Sequence, residues 1–211
     1  MNILKAQGLA EFLRKAARNA HPEVDSILGK ARALTPRGRR EIIDYQAMLL
    51  YCLAKDYDFE GANFLEIGTF WGFSAAMMAM AAPRANIVTL NPKPWEYEKA
   101  VENLRPLGNV RVFCVHSWDY LENYPGPKLD MIFVDGDHKR IEKDMPWWDW
   151  VKEGGLFLHH DYSPQESARP CQVVYERLNR FCEEIGQDFD VLVVDDEGVG
   201  MAGWRKTDGK R

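Results

Sequence analysis

The sequence is poor in cysteine, has no excess of positive charge and contains no long apolar run. No C-x-x-C spacing occurs among its four cysteines, which we interpret as reduced thiols of a cytoplasmic protein: Cys52, Cys114, Cys171 and Cys182. A formal net charge of -5 argues against nucleic acid as the main partner. Apolar runs stay below the roughly 18 residues of a membrane span, and the N-terminus lacks a signal-peptide core. These absences predict a soluble cytoplasmic protein that binds neither nucleic acid nor membrane.

The dinucleotide fingerprint G-x-G-x-x-G is also missing, which argues against a nicotinamide cofactor. In its place two glycines four apart, Gly68 and Gly72, separate the apolar stretch "NFLEIG" from an alanine- and methionine-rich helix. Backbone N–H groups at the start of a helix favour an anionic group, and the Ser74 hydroxyl would be an extra donor. Tight packing of a strand against a helix would also select glycine. Both explanations stay open at this point.

The length of 211 residues and a hydrophobic content of 46% predict one compact unit with a sizeable core. Two amphipathic helices are predicted before the first strand. The first covers residues 3–20, and the second starts with Thr35 as N-cap and Pro36 at the first helical position and runs to about Lys55. We therefore expect a helical cap at residues 1–58 ahead of the main domain at 59–211. The cap would either cover the active site or form a homodimer contact.

From residue 63 onward, short apolar strands alternate with helices. The strands are predicted at residues 63–68, 86–90, 110–115, 129–134, 154–159, 189–194 and 199–205. The helices between them are predicted at 74–82, 94–108, within the aromatic segment 144–155, and at 171–185. Continuous apolar strands that alternate with helices predict an α/β fold, a doubly wound parallel sheet covered on both faces. The last two strands resemble a hairpin, so we expect an antiparallel strand near one edge.

Polar side chains follow the predicted strands at the points where ligands bind in open α/β sheets. Asn91 follows the second strand, and Ser117 and Trp118 follow the third. The fourth and fifth strands end in the sets Asp135, Asp137, His138 and His159, His160, Asp161. Because imidazoles and carboxylates are unfavourable to bury without partners, such an edge predicts a functional site.

Three segments in register carry a resemblance to a known family: "LEIGTFWGFSAAMMA", "LDMIFVDGDH" and "KEGGLFLHHDY". They resemble motifs of the class I S-adenosylmethionine-dependent methyltransferases, in the group of the catechol and caffeoyl-CoA O-methyltransferases and their bacterial small-molecule relatives. The resemblance covers roughly residues 60–165. It implies a Rossmann-like, mostly parallel seven-stranded sheet. It also implies O-methylation of a small hydroxylated acceptor with S-adenosylmethionine as the cofactor.

The resemblance further implies which residues bind the cofactor. They are Glu66, Gly68, Thr69, Phe70, Gly72, Ser74, Asn91, Ser117, Trp118 and Asp135. Ser74 would donate to the carboxylate of the methionine part, and Ser117 and Trp118 would contact adenine. Asn91 departs from the family, which has an acidic residue there for the ribose hydroxyls. Asparagine can still hydrogen-bond to one ribose hydroxyl, and Glu96 or Glu98 could compensate for the missing charge.

The same resemblance implies a catalytic set of His138, Asp135 and His160 and, in many members, a divalent cation. Asp135, His160 and Asp161 match the ligand positions. Magnesium prefers oxygen ligands, so a histidine ligand would shift the preference toward manganese, iron, cobalt or zinc. A site without metal, in which His160 only forms hydrogen bonds, stays open. His138 takes the position of the family's catalytic lysine and is our preferred general base, since an imidazole with a pKa near ~6.5 suits proton removal at neutral pH.

A second function also stays open at the level of sequence. Asn91 and His160 both depart from the family pattern, and a protein that kept the fold but lost the reaction would tolerate such changes. The chain would then be a non-catalytic protein that binds the cofactor or another small molecule.

Overall fold

The computed structural model describes residues 8–36, 42–164, 169–194 and 200–207. Within these ranges the helices are α1 Leu9–Ala20, α2 Val24–Leu34, α3 Asp44–Lys55, α4 Phe73–Ala81, α5 Pro94–Leu104, α6 Ser117–Glu122 and α7 Arg169–Ile185. The strands are β1 Asn63–Ile67, β2 Asn86–Leu90, β3 Val110–Phe113, β4 Leu129–Val134, β5 Val151–Tyr162, β6 Val191–Val194 and β7 Gly200–Arg205. Two 3₁₀ segments, His138–Lys143 and Met145–Trp150, connect β4 to β5.

The strands form one sheet in the order β3-β2-β1-β4-β5-β7-β6. Neighbours among the first five strands in this order pair in parallel, and β7 lies antiparallel between β5 and β6. The prediction of a Rossmann-like, mostly parallel seven-stranded sheet with an antiparallel strand near one edge is confirmed.

Alternation along the central strands builds a hydrophobic core on each face of the sheet. Phe133 of β4 belongs to the cluster that includes α3 and α4, whereas its neighbours Ile132 and Val134 belong to the cluster that includes α7. Successive side chains of a strand point to opposite faces. Both faces are covered, and all six residues of β4 are buried. This explains why five of the six residues in "LDMIFV" are apolar, the aspartate being the exception.

The N-terminal helices pack on one of these faces. Ala17 of α1, Val24 of α2 and Leu50 of α3 are buried in the same cluster as Met77 of α4. These helices therefore share a hydrophobic core with the sheet. The division into a cap at 1–58 and a domain at 59–211 stays a prediction.

The predicted start of the second helix at Thr35 and Pro36 is wrong. Three helices, not two, precede β1 in the described residues, and α2 ends at Leu34. Thr35 follows that end, where its buried hydroxyl donates to the carbonyl of Ala31 at 2.7 Å. Proline cannot continue a helix, so the pair terminates α2 instead of starting α3. Residues 37–41 lie outside the described residues, as does the start of the predicted helix at 3–20.

Smaller differences occur where periodicity gives little signal. Helix α6 was not predicted, because six residues are too short for a helical pattern to show. The aromatic segment before β5 forms the 3₁₀ segment Met145–Trp150 instead of an α-helix, and β5 begins earlier than predicted, at Val151. No helix in the described part of the chain is long and apolar enough to cross a membrane.

Candidate active site

The carboxyl ends of the parallel strands meet, as predicted, in a continuous ladder of backbone contacts. The Asp135 N–H donates to Ile67 O at 2.7 Å, joining the end of β4 to that of β1. The Gly68 N–H donates to Leu90 O at 3.0 Å, and the Asn91 N–H donates to Phe113 O at 3.0 Å. Side chains that leave these strand ends therefore share one edge of the sheet.

The glycine turn between β1 and α4 is required by the protein's own packing. Gly68 has a φ of +101°, and a Cβ there would lie 2.0 Å from the carbonyl oxygen of Asp135. Gly72 has a φ of +95°, and a Cβ there would lie 2.8 Å from Leu104. Left-handed backbone and close approach both favour glycine. The packing explanation for the two glycines is thus sufficient, and the turn also leaves the N-terminus of α4 without a side-chain cap.

Beside this turn, Glu66 is a fully buried carboxyl held by two hydroxyl groups. Ser74 donates to its Oε1 and Thr89 to its Oε2. Thr69 lies 2.5 Å from the Thr89 hydroxyl and donates to it, because the proton of Thr89 is already engaged. Burial raises the pKa of Glu66 to about 7, although the two hydroxyl donors counteract the rise. Ser74 thus contacts Glu66 in this structure, and its predicted donation to a cofactor carboxylate stays a prediction.

The raised pKa of Glu66 predicts a pH-dependent effect of the substitution Glu66→Gln. A buried carboxyl whose pKa is raised by folding stabilises the fold fully only at pH values below the pKa of the unfolded state, near 4.5. That contribution is lost as the pH rises through about 7. Glutamine does not titrate, so the free energy of unfolding of the variant should fall less than that of wild type between pH 5 and pH 8, by roughly 1–3 kcal/mol. Urea unfolding at both pH values measures the difference, and equal losses in the two proteins would contradict it.

Asn91, which stands where the resemblance implies an acidic residue, is joined to a nearby carboxylate. Its Nδ2 donates to Glu96 Oε2 at 3.0 Å, and its Oδ1 accepts the Lys93 N–H at 3.1 Å. Glu96 is buried and also accepts from Lys93 Nζ at 3.0 Å. The structure therefore places Glu96 next to Asn91, as one of the two acids that we considered for this position.

Ser117 and Trp118 occupy the start of α6, after β3. The buried Ser117 hydroxyl donates to Asp144, whose pKa burial raises to about 6. Trp118 stacks on His116 with ring centroids 4.3 Å apart, and Lys143 Nζ lies 4.4 Å from the centroid of its ring. The Trp118 ring is half-buried on this edge. Its predicted contact with adenine stays a prediction.

Two histidines and two aspartates meet at the ends of β4 and β5. His138 Nε2 lies 2.5 Å from Asp161 Oδ2. His160 Nδ1 lies 3.3 Å from Asp135 Oδ1 and 3.3 Å from Asp161 Oδ1. On its other side, His160 Nε2 lies 2.9 Å from Gln46 Oε1 of α3. The structure thus joins the predicted catalytic and metal-binding residues in one network and adds Gln46.

The conformation of Asp161 explains how adjacent residues of β5 reach the same cluster. In a regular strand His160 and Asp161 would point to opposite faces. Asp161 has a φ of +59°, and the pairing of β5 with β7 shifts register between His160 and Tyr162. A β-bulge redirects a side chain in this way. Left-handed backbone is uncommon outside glycine and concentrates at functional sites.

The charges of the cluster follow from these contacts. The hydrogen bond to Asp161 raises the pKa of His138 above its ordinary value. Burial lowers the pKa of His160, but the carboxylates of Asp135 and Asp161 outweigh burial and raise it to about 10. Burial raises the pKa of Asp161, yet the two imidazoles outweigh it and hold that pKa well below its usual range. Asp161 is therefore an anion between two imidazoles.

Within the described ranges, one group of three side chains has the spacing of a metal site. One ligand atom from each of Asp135, His138 and Asp161 lies within 4.8 Å of the other two. This group contains His138, whereas the sequence predicted His160 together with the two aspartates. One nitrogen and two carboxylate oxygens suit manganese, iron, cobalt or zinc better than magnesium. These residues fit a cation, and its presence stays a prediction.

Comparison with known proteins relates this chain to methyltransferases. Residues 65–162 match the family model of a methyltransferase domain. A protein-L-isoaspartate O-methyltransferase from Ignicoccus hospitalis is 28% identical over 178 residues, which cover 82% of this chain and 80% of that protein. The chain has the fold of the O-methyltransferase TomG from Streptomyces achromogenes, which was solved with S-adenosylmethionine. The TM-score is 0.64, and the identity is 23% over 97% of this chain and 92% of that one.

A second similar structure is that of the methyltransferase PaMTH1 from Podospora anserina, solved with S-adenosylhomocysteine. Its TM-score with this chain is 0.67, and the identity is 18% over 98% of this chain and 100% of that one. At these identities the two structures establish the fold. The family-model match over residues 65–162 and the related methyltransferase from Ignicoccus hospitalis support the class predicted from the sequence, an S-adenosylmethionine-dependent methyltransferase.

Proposed function

We propose that this chain is an O-methyltransferase that transfers the methyl group of S-adenosylmethionine to a small hydroxylated acceptor. The observation that carries the proposal is the pair of His138 and Asp161, 2.5 Å apart at the carboxyl edge of the sheet. A carboxylate that orients an imidazole is the usual arrangement of a general base. The His138 side chain is 26% exposed, so an acceptor can reach its ring.

The residues around the glycine turn fit the amino-acid part of the cofactor. The uncapped N-terminus of α4 favours a carboxylate, and the buried carboxyl group of Glu66 favours an ammonium group. Glu66, Ser74 and Asn91 would hold the cofactor from the methionine part to the ribose, and Trp118 offers a stacking face for adenine. When bound, the cofactor supplies an activated methyl group. The protein's part is to hold the acceptor in line and to remove its proton.

A divalent cation is the finer part of this proposal. Asp135, His138 and Asp161 would hold it, and it would lower the pKa of the acceptor hydroxyl. His138 would then be a ligand instead of the base. Asp161 serves the site in both arrangements, as the partner of the imidazole or as a ligand.

The test begins with cofactor binding. S-adenosylhomocysteine at about 100 times its dissociation constant should add about 2.7 kcal/mol of stability, a rise in melting temperature of roughly 5–10 °C, whereas NADH should add nothing. Methyl transfer is then measured on catechols, sugars, polyketides and an isoaspartyl peptide, with and without EDTA. Transfer to a hydroxylated acceptor supports the proposal, and its loss in EDTA would assign the cation. Binding without transfer to any acceptor would favour the non-catalytic protein, and no binding would reject both.

The remaining expectations belong to the same proposal. We place the enzyme in the cytoplasm, because its four cysteines are free and a reduced state suits that compartment. We propose a small molecule as the acceptor, with neither nucleic acid nor membrane as a partner, since the net charge of -5 would repel polyanions. A homodimer built on the N-terminal helices stays a prediction.

A further inference from the structure

One residue of the N-terminal helices reaches the candidate active site. Gln46 of α3 is 1% exposed, and its Oε1 lies 2.9 Å from His160 Nε2, 114 positions away in the chain. No motif marked it, because its partner is supplied by the far end of the sequence. The contact joins the helical layer to the edge of the sheet that holds Asp135, His138 and Asp161.

A second contact of Gln46 fixes the direction of the hydrogen bond. The backbone N–H of Ile43 donates to Gln46 Oε1 at 3.2 Å, at the start of α3. An N–H group can only donate, so the atom that faces His160 is the amide oxygen. His160 Nε2 therefore carries a hydrogen and donates it to Gln46. Nδ1 of the same ring then lies within ion-pair distance of Asp135 and Asp161, 3.3 Å from one oxygen of each.

The network continues from His160 to the proposed base. Asp161 uses Oδ1 toward His160 and Oδ2 toward His138. A rotation of the His160 ring would remove the partner of Oδ1 and change the position of Asp161, on which the orientation of His138 depends. Gln46 holds the far side of that ring and blocks the rotation.

We propose that Gln46 is a positioning residue of the active site: through His160 it fixes the carboxylates of Asp135 and Asp161, and through Asp161 the imidazole of His138. This inference rests on the proposed function. The competing explanation is that Gln46 only closes the first turn of α3 and satisfies a buried histidine. That role would affect stability and leave the chemistry of the folded protein unchanged.

The experiment compares Gln46→Met, which removes the acceptor, with Gln46→Glu, which keeps an oxygen in the same place. Tyr51→Phe is the matched control, because Tyr51 lies on the same helix and donates to Glu23 at 2.8 Å, outside the site. Turnover per folded molecule should fall roughly tenfold or more in Gln46→Met, with little change in affinity for S-adenosylhomocysteine. Gln46→Glu should recover most of the turnover, and Tyr51→Phe should match wild type.

A second readout does not depend on activity. In protein labelled with ¹⁵N-histidine, NMR should show a hydrogen-bonded Nε2–H of His160 in wild type and in Tyr51→Phe, shifted or lost in Gln46→Met. Wild-type turnover in folded Gln46→Met would overturn the inference, as would an unchanged His160 resonance. Should wild type transfer no methyl group at all, the proposed function fails by itself, and the resonance alone then decides whether Gln46 fixes the ring.

Discussion

Replacing His138 by alanine should lower the rate of methyl transfer by about 10²- to 10⁴-fold, the usual contribution of a general base. The imidazole contacts Asp161 and is not one of the groups that we assign to the cofactor. Affinity for S-adenosylhomocysteine should therefore change little. Steady-state kinetics on the best acceptor, with calorimetry of cofactor binding, separates the two effects.

His21→Ala is the matched control for this prediction, because His21 packs edge-on against Tyr51 among the N-terminal helices, away from the site. Its turnover should equal that of wild type. Unchanged turnover in His138→Ala would remove His138 from the mechanism. Loss of turnover in both variants would indicate a general effect of histidine removal on folding, which melting curves would reveal.

The sequence predicted the sheet well because its signal is local. Each parallel strand is a short apolar run, and both faces are covered, so runs such as "LDMIFV" are recognisable without knowledge of their neighbours. Ligands bind beyond the carboxyl ends of the strands in such sheets, and this rule predicted that Asp135, His138 and Asp161 lie at one edge. Helix boundaries were less certain, since threonine before proline fits the end of a helix as well as its start.

The different contacts of the two histidines could not be predicted, because they depend on residues that are distant in sequence. His160 lies beside Asp161 in the chain, which suggested a pair of ligands. In the structure Gln46 holds one nitrogen of His160, and it is His138 that joins the two aspartates in the group with metal-site spacing. The left-handed conformation of Asp161, which permits this arrangement, has no sequence signal comparable to a glycine.

Gly68 is the position at which a single methyl group should have the largest effect on stability. Its φ of +101° is strained for any other residue, and an added Cβ would lie 2.0 Å from the carbonyl oxygen of Asp135, a backbone atom that cannot rotate away. We expect Gly68→Ala to lower the free energy of unfolding by roughly 2–4 kcal/mol, from backbone strain and overpacking together. The melting temperature should fall by roughly 5–15 °C.

Gly29→Ala is the control for this substitution, because Gly29 lies inside α2 and a Cβ there meets no atom within 4 Å. Alanine favours the helix over glycine by roughly 1 kcal/mol, so this variant should be as stable as wild type or more so.

The Gly68 substitution should also push β1 away from β4, since the clash lies between their ends, and thereby separate Glu66 from Asp135. S-adenosylhomocysteine should consequently raise the melting temperature of Gly68→Ala less than that of wild type. The two variants could instead melt at the same temperature and respond equally to the ligand. In that case the close approach of the ends of β1 and β4, on which the whole site depends, is incorrect.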